Sequence, residues 1–119
     1  MMLLMKKKNL EVFVRMITNK WWDYMLNDLI SHVYQCVVTL TDGSTYNYDI
    51  YKTNIDIDNR KIMIDFYIQD EFWGVIAKKT LIDVDGNELD IKETEIDKDE
   101  EGLYVRFAYQ FTEEEIVYE

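Results

Sequence analysis

Residues 75–96 read VIAKKTLIDVDGNELDIKETEI, and the fold turns on whether this stretch is a single β-hairpin. Two strand-like runs, 75–84 and 88–96, flank Asp85-Gly86-Asn87, a tight-turn sequence in which glycine supplies the positive φ that such turns need. On this reading the acidic run ELDIKETEIDKDEEG, residues 88–102, is a returning strand and loop held in the fold rather than a disordered tail. Asp83, Asp85 and Gly86 also have the look of a calcium loop, with carboxylates at alternate positions around a glycine. With Gly86 in the glycine position, however, the first ligand would be Leu81 and the terminal acid would be Lys92, so a plain turn is expected.

Outward from this hairpin the period-two pattern recurs. Runs 36–41 and 45–52 flank Asp42-Gly43, and Ile55 and Ile57 precede an Asn59-Arg60 turn into Ile62, Ile64, Phe66 and Ile68. Leu103, Val105, Phe107, Tyr109 and Phe111 alternate with polar or small residues, and residues 116–118 suggest an edge strand or a helical turn. Upstream, Leu10, Val12 and Val14 suggest a first strand. Between them Trp22, Met25, Leu26, Leu29, Ile30 and Val33 fall at spacings of three and four, which predicts an amphipathic helix over 19–33 with Thr18 or Asn19 as its N-cap. The expected fold class is α+β: one amphipathic helix packed on a curved, mainly antiparallel β-sheet built from consecutive hairpins.

A chain of 119 residues, 48% hydrophobic and 14% aromatic, suits one globular domain over 1–119, with residues 1–9 frayed. The single cysteine, Cys36, excludes an intrachain disulfide and points to a reducing cytoplasm, that of the host cell if the chain is phage-encoded. The start of the chain reads charge after hydrophobe, the reverse of a secretory signal. No apolar run approaches the ~18 to 20 residues of a membrane span, so no membrane partner is expected.

The net charge of −11 is not spread evenly. Residues 1–82 carry ten acids and ten bases, whereas residues 83–119 carry fourteen acids against Lys92, Lys98 and Arg106, so the whole imbalance lies in the last third. There is no proline and there are four glycines, so no flexible linker sets that third apart.

Catalytic signatures are missing from the sequence. It has no glycine-rich phosphate loop, no Gly-x-Ser-x-Gly elbow and no His-Glu-x-x-His. His32 and Cys36 are four residues apart, a metal or nucleophile spacing, but no further His or Cys completes a site. Asp56 with Asp58, or Asp65 across the hairpin, is the place to seek a carboxylate pair, although alternating acids also keep an outer strand face soluble. The reading is therefore a non-enzymatic protein without metal or cofactor. Arg15, Arg60 and Arg106 lie far apart and the chain is acidic, so direct nucleic-acid binding is not expected either.

A strand spaces same-face side chains by about 6.5 to 7 Å, so Glu93, Glu95, Asp97 and Asp99 would project as a row at intervals comparable to nucleic-acid phosphates. Glu88, Asp90, Glu100 and Glu101 would extend the field. Such a row steers a protein with a basic groove, a nuclease or other nucleic-acid-binding protein, toward the strand. It also serves to keep an edge strand from pairing with other chains. On the helix, Trp21, Tyr24 and Asp28 fall away from the apolar stripe and supply anchors for a partner. Tyr46, Tyr48, Phe72 and Trp73 are further aromatic candidates, with packing in the core as their alternative role. In size and charge alone the chain is similar to phage and mobile-element inhibitors of host nucleases, such as anti-CRISPR and antirestriction proteins, and to toxin-immunity proteins. A phage structural or assembly component, or a small hydrolase, stands as the alternative.

Overall fold

A computed structural model describes residues 17–69, 72–99 and 101–114 of the chain. The strand expected at residues 10–15, the segment 116–118 and Glu100 lie outside the described residues. Thr18 opens helix α1 (Asn19–Ser31), its hydroxyl oxygen accepting from the Trp21 N–H at 3.3 Å. Such a cap satisfies one of the backbone donors that a helix leaves without partners in its first turn. The helix stops short of the expected Val33. The Tyr34 N–H donates to the Ile82 carbonyl at 2.8 Å, and this bond draws the chain into a sheet.

Among the described residues seven strands follow: β1 (Gln35–Leu40), β2 (Thr45–Asp49), β3 (Lys52–Asp56), β4 (Lys61–Ile68), β5 (Gly74–Ile82), β6 (Glu88–Lys98) and β7 (Leu103–Gln110). The three expected hairpins form as β1–β2, β3–β4 and β5–β6, all antiparallel. Gly43 (φ 90°) and Gly86 (φ 83°) take the left-handed backbone their turns require. The middle turn reaches it with Arg60 (φ 55°), where Asp56 accepts from the Asn59 backbone and side-chain N–H groups at 3.2 and 2.7 Å.

One expectation needs correction. The strands do not make one curved sheet but two antiparallel sheets, a larger one ordered β2-β1-β5-β6 and a smaller one ordered β3-β4-β7. The run 45–52, expected as a single strand, breaks at Ile50-Tyr51, where the chain leaves the larger sheet for the smaller. The chain is back in the larger sheet at β5 and in the smaller again at β7. Hairpins thus alternate between sheets.

The physical reason lies in the amount of apolar surface to cover. Cys36, Val38, Leu40, Tyr48, Ile76 and Leu81 of the larger sheet and Ile64, Phe66, Ile68, Val105 and Phe107 of the smaller are buried in one continuous cluster. A 13-residue helix with two buried side chains, Trp22 and Leu26, cannot cover so many inward faces. Each sheet instead covers the other, and α1 caps the part of the smaller sheet around Ile62 that the larger sheet leaves open. At the centre Phe66 and Phe107 meet edge to face, ring centroids 5.9 Å apart, a geometry worth about 0.5–1.5 kcal/mol beyond the buried area.

Candidate functional site

Glu88–Lys98 of the acidic stretch form strand β6, which among the described residues lies at the edge of the larger sheet. Glu93 and Asp97 lie in register with Lys78 and Val75 of β5, and together with Glu95 they are exposed on the outer face. Glu88, opposite Ile82, faces the same way. None of these four carboxylates has an ion-pair partner among the described residues, although Lys78 sits directly across from Glu93. Asp99 lies just beyond the strand, and its carboxylate accepts the Glu101 backbone N–H at 2.9 Å, which fixes the loop. Between the row and the loop, Lys98 turns inward and is 2% exposed. Its ammonium donates to the carbonyls of Phe72 and Asp99 at 2.8 and 3.1 Å and stands 4.8 Å from the Phe72 ring centre. The end of the acidic strand is therefore anchored by a buried lysine.

Asp90 departs from the expected field. From Asp90 to Glu93 the pairing of β5 with β6 is regular, so Asp90, three positions from Glu93, alternates onto the face opposite the row. Asp90, opposite Leu81, points between the sheets, accepts a hydrogen bond from the Tyr109 hydroxyl and lies 3.8 Å from the Lys92 ammonium. Burial, reinforced by that carboxylate, pushes the Tyr109 hydroxyl well above its ordinary value. These groups edge a cleft of about 570 Å³ between the sheets and the end of α1, with Leu29, Val33, Ile62 and Leu81 among its apolar walls.

Trp21 (56% exposed), Tyr24 (62% exposed) and Asp28 face solvent as their helical positions predict. Yet α1 packs mainly against β3 and β4 of the smaller sheet, so these residues are not brought onto the acidic strand. Tyr48 and Phe72 are buried, and Tyr46 stacks on Phe72 with ring centres 4.3 Å apart, whereas Trp73 stands 74% exposed.

Other sequence candidates have structural occupations. The Asp83 carboxylate accepts from the backbone N–H groups of Asp85 and Asn87 at 3.0 and 2.8 Å and from the Asn87 side chain at 2.9 Å, and these bonds hold it below the usual carboxylate range. It closes the hairpin turn. His32 sits exposed on the helix end, 3.4 Å from Asp28, while Cys36 is buried in β1 with its thiol pushed up to about 12 by burial. The two do not form one site. Asp56 caps its turn, and Asp65, four positions along β4 from the residue opposite Asp56, is held by Arg106.

The outer face of the smaller sheet carries a group that the sequence reading missed. Tyr51, Tyr67 and Tyr104 cluster there with ring centres 4.8 to 6.5 Å apart, beside the two-pronged Arg106–Asp65 pair at 2.7 and 3.0 Å. Tyr67 also lies directly over Gly102, where an added Cβ would fall 1.9 Å from its hydroxyl oxygen. The signal was present in the alternation, since Asp65 and Tyr67 on β4 and Tyr104 and Arg106 on β7 share parity.

Among the described residues no helix is long and apolar enough to cross a membrane, and no group of three or more His, Cys, Asp or Glu is placed to hold a metal ion. Comparison of the chain with protein-family models, with curated proteins and with solved structures gives no match.

Proposed function

We propose that the chain is a non-enzymatic binding protein whose edge strand β6 docks in the basic groove of a nucleic-acid-handling protein, such as a nuclease, and competes there with the nucleic acid. One observation carries this reading: Glu93, Glu95 and Asp97 stand exposed on one face of a strand and lack ion-pair partners among the described residues. Charges fixed on a strand approach a partner already ordered, so less side-chain freedom is lost on docking than from a flexible tail. Unneutralised like charges in a row also give the long-range field that raises encounter rates with a basic surface. Inhibitors carried by phages or mobile elements against host nucleases have this chemistry, and the chain is assigned to that functional class.

The test is capture of partners from the native host at low and at high salt, with wild type and with Glu93→Gln/Glu95→Gln/Asp97→Asn as paired baits. Wild type should retain a protein with a basic groove, lose it at high salt, and the neutralised variant should fail to retain it. Equal capture by both baits, or a partner without a basic groove, would overturn the reading.

A further inference from the structure

The inward side of β6 poses a question separate from its outer row. Lys79 of β5 and Lys92 of β6 are direct cross-strand partners, and both point between the sheets. Like charges placed opposite one another on a sheet repel, and these two share the low-polarity space over one ring. Their ammonium groups stand 5.3 and 6.0 Å from the centre of Phe107, itself fully buried. The carboxylate among them is Asp90, which is already engaged by the Tyr109 hydroxyl and by Lys92. Behind them Cys36 stays a neutral thiol and supplies no second anion. The inter-sheet space therefore keeps an excess of positive charge inside a chain of net charge −11.

Beside this pair opens the cleft of about 570 Å³. That volume falls within the roughly 300 to 1,000 Å³ of sites that enclose small ligands, and an apolar wall with a few convergent polar groups is the usual makeup of such sites. Its rim includes Leu29 and Leu89, respectively 44% and 45% exposed. Burial, with a smaller contribution from Lys92, holds the Lys79 ammonium below its ordinary pKa, a strain that a nearby anion relieves.

We propose that this cleft binds a small amphiphile with a carboxylate head, of the medium-chain fatty acid class, its chain along Leu29, Val33, Ile62 and Leu81 and its head at Lys92, with Lys79 on the facing strand adding its charge from behind. The carboxylate would replace repulsion between two cations with charge-assisted hydrogen bonds, while the chain covers apolar side chains now facing water. Asp90 and Tyr109 hold Lys92 at the mouth. The proposal is independent of the outer acidic row, which lies on the other face of the same strand.

Calorimetric titration of the intact chain with decanoate, decanol and decyltrimethylammonium, each kept below its micelle threshold, tests it. Decanoate should bind roughly tenfold or more tighter than decanol, the worth of one charged hydrogen bond. Lys92→Met and Lys79→Met should each reduce that preference while leaving decanol binding in place, and Lys92→Arg should keep it. Thermal unfolding of each variant checks that it keeps the fold, so that a lost preference is read only from folded protein. Absence of binding, equal affinity for the three probes, or preference for the cation, which would make Asp90 the recognising group, would each overturn the proposal.

Discussion

On the outer face of β4 and β7, Asp65 grips Arg106 through two hydrogen bonds and three tyrosines pack against one another and over Gly102. On the outer face of β6, Glu93, Glu95 and Asp97 stand without ion-pair partners among the described residues, even with Lys78 across the strand. Both faces belong to one sandwich and both are open to water, yet one directs its polar and aromatic groups inward to each other and the other directs them outward. A face that satisfies its own groups has little left to offer a partner. A face that holds its charges apart retains their field, and mere solubility does not require acids to be collected on one strand.

Three substitutions sharpen or break this contrast. The largest effect should come from Gly102→Ala, whose new Cβ overlaps the Tyr67 ring and must push it out of the tyrosine cluster. Forcing an extra carbon into a packed site costs about 1–3 kcal/mol. In a Tyr67→Ala background most of that cost should vanish, and chemical denaturation of the four-member cycle measures both. A full cost without Tyr67 would mean that the face is not held together in this way.

A smaller loss should follow Asp65→Asn. The hydrogen bond and charge of Arg106 hold the Asp65 carboxyl below its ordinary value of 3.8, so its contribution to stability is present above that value and fades as pH falls through the depressed one. The gap between wild type and variant should therefore be open at pH 7 and narrow toward pH 3 in thermal unfolding. A gap that stays constant with pH would remove the ion pair from the account.

The smallest effect on stability, none or a slight gain, is expected from neutralising Glu93, Glu95 and Asp97 together. Nothing among the described residues pairs with these charges, and their mutual repulsion is relieved. A drop in melting temperature as large as that of Asp65→Asn would show the acids to be structural, and the two faces would then be alike.

Local features were largely legible in the sequence. Asp42-Gly43, Asn59-Arg60 and Asp85-Gly86-Asn87 marked the three turns because turn chemistry is set by a few adjacent residues, and Thr18 marked the helix start for the same reason. The division into two sheets was not legible. A strand with one apolar face reads the same whether a helix or another sheet covers it, and only the break at Ile50-Tyr51 separates β2 from β3. The inward pair Lys79 and Lys92 was missed for a related reason. Taking the apolar Leu89 and Ile91 as the inward set would turn Asp90 and Lys92 to solvent, but Ile91 shares the exposed face with Glu93, and Asp90 and Lys92 alternate inward. The row Glu93, Glu95 and Asp97 could be read because exposure still alternates along it, even though the pairing with β5 shifts between Glu93 and Ile96.

The alternation of hairpins between sheets bears on how the chain is made. The larger sheet joins β1 to β5, so Gln35 waits for Ile82, and the smaller sheet joins β4 to β7, so Lys61 waits for Gln110. Each hairpin can form early, but the larger sheet is not complete until β6 has been made nor the smaller until β7 has, and pairings so distant in sequence slow the search for the native state. During that interval the apolar strands of the first half are synthesised before the acidic third that balances them, so the nascent chain passes through a stage with little net charge and much uncovered surface. Strand β6 brings the charge that ends this stage, and β7 then adds Val105 and Phe107 to the core.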